Sequence, residues 1–140
     1  MFQREVLGLE EARRAMDAML QDGMKEPARP IAMVIVDDHC ELVSFARMDG
    51  ARPQNNDFAF KKAYTSARLR GDTGAIAQRM KDGGRSAPDF GDPNLLFLQG
   101  GLLISRPGSN QVLGAIGVSG LRADEDEGIA KIGLAAMGLG

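Results

Sequence analysis

The strongest chemical grouping in the chain is a lysine with two hydroxyls one helical turn away. In FKKAYTSARLRG, Lys62, Thr65 and Ser66 stand at i, i+3 and i+4, so a helix presents an ammonium and two hydroxyls on one side. That set suits a carboxylate or a propionate; the alternative is a solvated lysine on an amphipathic helix. In RMDG, Arg47 and Asp49 precede a turn glycine. They either orient a ligand at a sheet edge or form a salt bridge that closes the turn. Gly114, Gly117 and Gly120 are spaced by three in GAIGVSG, which calls for close approach of a helix or ligand, and Ser119 faces whatever fills that gap.

Other chemistries are narrowed by what is missing. His39 is the single histidine, so a two-histidine zinc site is excluded, and a Ser–His–Asp triad is open only through His39. The residue is a weak candidate for an axial haem ligand, with a Met or Cys40 opposite; between two aspartates and a cysteine, it also reads as an exposed turn residue. Cys40 fits a packed small hydrophobe better than a nucleophile. The carboxylates at 124–127 suit a hard cation, but electrostatics at a helix start explain them without a metal. No metal site is assigned. GxGxxG and GxxxxGK[ST] are both absent, which excludes nucleotide binding through those loops. The eight methionines are spread through helices and strands and read as core filling.

Composition bounds the rest. A chain of 140 residues with 44% hydrophobic content supports one domain with one core. Its single cysteine excludes an internal disulfide framework and fits a reducing compartment. The opening MFQREVLGLEEARR has no apolar h-region and no stretch approaches a membrane span, so a cytoplasmic location is expected, with no membrane partner. Residues 47–85 carry a basic excess: Arg47, Arg52, Lys61, Lys62, Arg68, Arg70, Arg79, Lys81 and Arg85 against four aspartates. Phe58, Phe60 and Tyr64 lie in that stretch, but at an apolar helical spacing, and the pI is about 5.4. A small anionic ligand suits this better than nucleic acid, which is not expected as a partner. Glycine, 18 of 140, is nearly twice the usual ~7%, while aromatics are scarce.

The elements that must position these groups follow from periodicity. Leu9, Ala12, Met16 and Leu20 mark a first helix that starts after Gly8 and stops at Gly23. IAMVIVD (31–37) and LVSFARM (42–48) flank the turn DDHCE, and a connection this short demands an antiparallel pair. A helix is expected over 57–70, burying Phe60, Ala63, Tyr64 and Ala67, with Lys62, Thr65, Ser66 and Leu69 on the adjoining face; a short helix follows at 74–81. Residues 82–94 read as a long functional loop. LLISR (102–106) and VLGAIGVSG (112–120) form a second hairpin around PGSN. A last helix over 124–137 has Asp124 and Glu127 as a capping pair and an apolar stripe of Ile129, Ile132, Gly133 and Ala136. Helix, hairpin, helix, loop, hairpin and helix make an α+β domain with helices packed against an antiparallel sheet.

Five segments taken in order resemble the GlcG/HbpS family, the haem-binding-protein-like domain also found at the C-terminus of PduO-type adenosyltransferases. They are LVSFARMDGA (42–51), FKKAYTSARLRGDTG (60–74), GGLLI (100–104), GAIGVSG (114–120) and DEDEGIAKIG (124–133). The resemblance runs from about residue 7 to 136 and implies a single domain over 1–140. It implies a profilin-like α+β fold, a central antiparallel sheet of about five strands with helices on both faces, the fifth strand near 95–98. It further implies a homo-oligomer, from dimer to octamer. Lys62 and Thr65 fall on the family's KA-x-T helix, Arg47, Met48 and Asp49 on its RMD, Ser119 on its GVSG, and Asp124 and Glu125 on its acidic helix start. The ligand-binding candidates are therefore Arg47, Asp49, Lys62, Thr65 and Ser119. Two departures stand out. The turn DDHCELV places His39 off the family's usual position, and GGLLI lacks the usual proline.

Two functions follow from the resemblance. The first is a small-ligand-binding protein for haem or a related anionic ligand, its acid groups on Lys62, Arg47 or Arg52 and its apolar body on the sheet; haem is the implied cofactor. The second is an enzyme of a catabolic pathway acting on a small organic acid. There Lys62 holds the carboxylate, and Asp49 or Glu125 is the catalytic acid–base.

Overall fold

The computed structural model describes residues 1–139. Its centre is strand β1 (Ala32–Asp37), in which Ala32 through Val36 are all buried. A strand apolar at every position needs cover on both faces, and both are covered. Strand β2 (Leu42–Arg47), β3 (Gly101–Ser105) and β4 (Val112–Ser119) complete a four-stranded antiparallel sheet in the order β2-β1-β4-β3. Residues 95–98, where a fifth strand was expected, form no strand. Helices α1 (Leu9–Gly23) and α4 (Ala123–Ala136) cover one face; α2 (Pro53–Leu69) covers the other, followed by α3 (Thr73–Asp82).

The two faces are built from different materials. Under α1 and α4 lie Met16, Met19, Met33, Ile35, Ile104, Ile116, Val118 and Ile129, large side chains that fill a full-depth layer. Under α2 the inventory is Ala32, Val34, Val36, Ala115, Ala59, Ala63 and Ala67. Small residues at i, i+4 and i+8 of α2 let the helix lie almost on the sheet backbone. Gly117 is the contact point: a Cβ built there would fall on the Ala59 carbonyl oxygen and lie 2.6 Å from the Ala63 amide nitrogen. At Gly101 it would lie 2.6 Å from the Lys62 carbonyl oxygen. Gly117 thus answers to α2, whereas Gly114 and Gly120 answer to backbone at Val36–Asp37 and Pro30–Ile31; few aromatics are needed because the layer under α2 has no depth for them.

That docking also rotates α2 away from the face its apolar spacing suggested. Lys62, Thr65 and Ser66 are fully buried beside Ala59 and Ala63, whereas Phe60 and Tyr64 are only half-buried. In α4 the inward stripe is Asp126, Ile129, Ala130 and Gly133, and Ile132 is exposed. The expected Asp124–Glu127 capping pair is absent. Glu125 instead accepts the Arg122 N–H at 3.3 Å, and Glu127 accepts from Gln99 at 3.0 Å. No described helix is long and apolar enough to cross a membrane.

Candidate ligand-binding site

The Lys62 side chain is 1% exposed, and its ammonium donates to the Val118 carbonyl oxygen at 2.9 Å and to Asp126 Oδ2 at 3.1 Å. Asp126 enters from the first turn of α4, and its Oδ1 accepts the Leu121 N–H at 3.0 Å. Burial pushes the lysine's pKa down and the aspartate's up, and their mutual attraction opposes both shifts. Gly100 leaves room for the ammonium, since a Cβ there would stand 2.7 Å from Nζ. The pair ties α2, β4 and α4 together, so the ammonium faces protein partners rather than an open cavity.

The neighbouring hydroxyls are also turned inward. Thr65 Oγ1 accepts the Leu96 N–H at 2.8 Å and so pins the segment after the long loop to α2. The Ser66 hydroxyl is buried without a hydrogen-bond partner among the described residues. Ser119 is buried at the end of β4, next to the carbonyl that Lys62 holds.

Arg47 and Asp49 are exposed and, among the described residues, make no ion pair with each other. Register decides what Arg47 accompanies. Ala32 pairs with both Arg47 and Ser119, and Val34 pairs with both Phe45 and Gly117, so these side chains share the face that α2 covers. Yet α2 rests on β4, β1 and β3 and leaves β2 uncovered. The outcome is an open strip along β2. Leu42 is 57% exposed, Phe45 44% exposed, and Arg47 closes one end. A cavity of about 520 Å³ at this end of the sheet is lined by Arg29, Arg52, Gly50, Gln54, Asn55 and Gly120.

His39 lies at the other end of the strip, in the turn before β2. Asp37 Oδ1 accepts the N–H groups of His39 and Glu41 at 2.8 and 3.0 Å, which fixes the turn and leaves the imidazole 65% exposed. Its Nε2 lies 3.8 Å from Asp38 Oδ2. Cys40 adopts a left-handed conformation with φ 65°, its thiol directed at the Tyr64 carbonyl at 3.7 Å; burial pushes that thiol's pKa up. No group of three or more His, Cys, Asp or Glu side chains among the described residues is placed to hold a metal ion.

The acidic run separates into different roles. Glu125 is gripped by both Arg29 nitrogens at 3.0 and 2.7 Å, which holds its carboxyl down at about 2. It is therefore ionised near neutrality and carries no proton to give. A depressed carboxylate contributes stability above its unfolded value of about 4.5, lost as pH falls through the folded value. Glu125→Gln is thus expected to show a shallower loss of Tm between pH 4.5 and 2 than the parent in low salt. The two profiles should converge in 1 M salt, because the pair is solvent-screened. Asp124 pairs with Arg122 at 3.2 Å. The residue missed in the sequence is Asp126. Its signal is indirect: a lysine buried in this layer requires a carboxylate partner.

This architecture defines a class: an α+β domain whose sheet is sandwiched between α2 and the α1–α4 pair, with one edge strand left open. The chain belongs to the family described as haem degrading protein HbpS-like, whose model matches residues 7–135. A double mutant of HbpS from Streptomyces reticuli is 32% identical with a TM-score of 0.85, the alignment covering 99% of this chain and 91% of that one. Two more distant structures share the fold, each with a TM-score of 0.85. Klebsiella pneumoniae protein ORFY is 23% identical over 98% of this chain and 94% of its own. A PduOC:haem complex is 22% identical over 97% and 98%. Comparison with curated proteins gives no match.

Proposed function

We propose that this protein binds haem, or a related flat anionic ligand, along the open strip of β2. The observation that carries the reading is the strip itself: exposed Leu42 and Phe45 on a sheet face otherwise sealed by α2, ending at the exposed guanidinium of Arg47. Family membership supplies the ligand class. The residues suit the group. An apolar macrocycle gains from lying on Leu42 and Phe45, and propionates gain charge-assisted hydrogen bonds from Arg47 and, across the turn, Arg52. His39 offers an accessible imidazole at the far end of the strip. Bound haem would supply a redox-active iron. Lys62 ties α2 to β4 and α4, and Thr65 ties α2 to Leu96, so both hold the frame beside the strip rather than line it; Ser119 is buried and Asp49 lies outside the strip.

Haemin titration of the parent, Phe45→Glu, Arg47→Ala and His39→Ala proteins tests this. A saturable Soret change at simple stoichiometry is expected, with affinity lowered about tenfold or more by Phe45→Glu or Arg47→Ala, the value of one charged hydrogen bond. A non-saturating change equal in all four proteins would overturn it. The same domain is proposed to form a homo-oligomer. If Phe45→Glu alters the mass by light scattering and leaves haemin binding intact, the strip is an interface and not the ligand site.

A further inference from the structure

A donor-bearing cavity lies at the opposite end of the sheet from Arg47. It has a volume of about 530 Å³ and sits between the N-terminal segment, the β3–β4 turn and the residue that ends α2. Phe2, Leu103 and Val112 give it apolar walls, and Arg4, Arg70 and Ser109 bring polar groups to it. The N-terminal segment is strapped in place: Glu5 pairs with Arg106 at 2.7 Å, its carbonyl accepts from Gln111 at 2.9 Å, and Arg4 pairs with the buried Asp38. Residues 4 and 5 are therefore held by specific contacts, while Phe2 beside them is 89% exposed.

Arg70 sets this cavity apart. It caps α2 in the left-handed conformation, φ 60° and ψ 51°, where glycine is favoured and a Cβ is strained. Gly71 follows directly, so a glycine one position earlier would have relieved the strain. The strained arginine places its guanidinium at the cavity, with one hydrogen bond, at 3.2 Å, to the Asp38 carbonyl oxygen. Among the described residues no carboxylate pairs with it; the one carboxylate in the cavity, Asp38, is taken by Arg4. Ser109 Oγ accepts the Gln111 N–H at 3.1 Å, which leaves its own O–H free to donate. Strained residues that persist at a cavity point to function there.

We propose that this cavity is a second ligand site, independent of the β2 strip, for a small organic carboxylate. The carboxylate meets Arg70 and the Ser109 hydroxyl, and an apolar or aromatic body lies against Phe2 and Leu103. Calorimetric titration with benzoate and with its neutral counterpart, benzyl alcohol, tests it on the parent and on Arg70→Gly. Saturable one-to-one benzoate binding is expected in the parent and at least tenfold weaker binding in Arg70→Gly, with benzyl alcohol not binding. The same variant should melt no lower than the parent, because glycine relaxes the cap, and haemin titration should be unchanged. Absence of saturable benzoate binding, equal binding by Arg70→Gly, or equal binding of benzyl alcohol would each overturn the site without touching the haem reading.

Discussion

Lys62→Ala is expected to lower the unfolding free energy by about 3–5 kcal/mol, the cost of stranding one member of a buried ion pair. The substitution leaves Asp126 at 2% exposure with only the Leu121 amide to stabilise its charge. It also opens a void beside Gly100, whose bare Cα accommodates the ammonium. Against a domain stability of roughly 5–15 kcal/mol, that loss shifts a urea midpoint substantially at unchanged slope. Lys62→Met combined with Asp126→Leu should recover most of it, because apolar groups of similar volume need no solvation. A Lys62→Ala protein within about 1 kcal/mol of the parent would refute the pair as a structural tie.

Gly117→Ala is the second large effect. On strand propensity alone, adding a methyl to a β-strand glycine stabilises by about 0.5–1 kcal/mol. Here the methyl meets backbone atoms of Ala59 and Ala63, and a helix backbone cannot rotate out of the way as a side chain does. Displacing α2 also disturbs the Lys62–Asp126 pair that depends on its position. A loss of about 3 kcal/mol is expected, at the upper end for overpacking. Gly128→Ala supplies the contrast. It lies within α4, where an added methyl would meet nothing inside 4 Å, so helix propensity governs and about 0.5–1 kcal/mol is gained. Urea melts of both variants check the pair; stabilisation by Gly117→Ala would show that α2 does not rest on β4 as described.

Local pattern was enough for the elements and their order. Short β-branched and apolar runs with tight turns between them place both hairpins, and capping, proline and glycine signals place the helices within a few residues. The basic excess of residues 47–85 was also legible, and so was the close approach demanded by Gly114, Gly117 and Gly120, since a row of residues without side chains has few other uses. Orientation was not legible. An apolar stripe through Phe60, Ala63, Tyr64 and Ala67 competes with one through Ala59, Lys62, Ala63 and Ser66. Hydrophobicity favours the first, but the second is what the shallow glycine floor admits. A lysine reads as solvent-facing until its partner is known, and Asp126 is 64 residues away in sequence. Likewise, no feature of LVSFARM says that Leu42, Phe45 and Arg47 stay open, because that depends on α2 stopping at β1. Sequence by itself determined which segments are strands and helices, as those rest on short-range patterns, neighbours two apart in a strand and three or four apart in a helix. Tertiary structure decided which face of each is buried and which charge meets which, because those energies arise only when distant segments exclude water from one another.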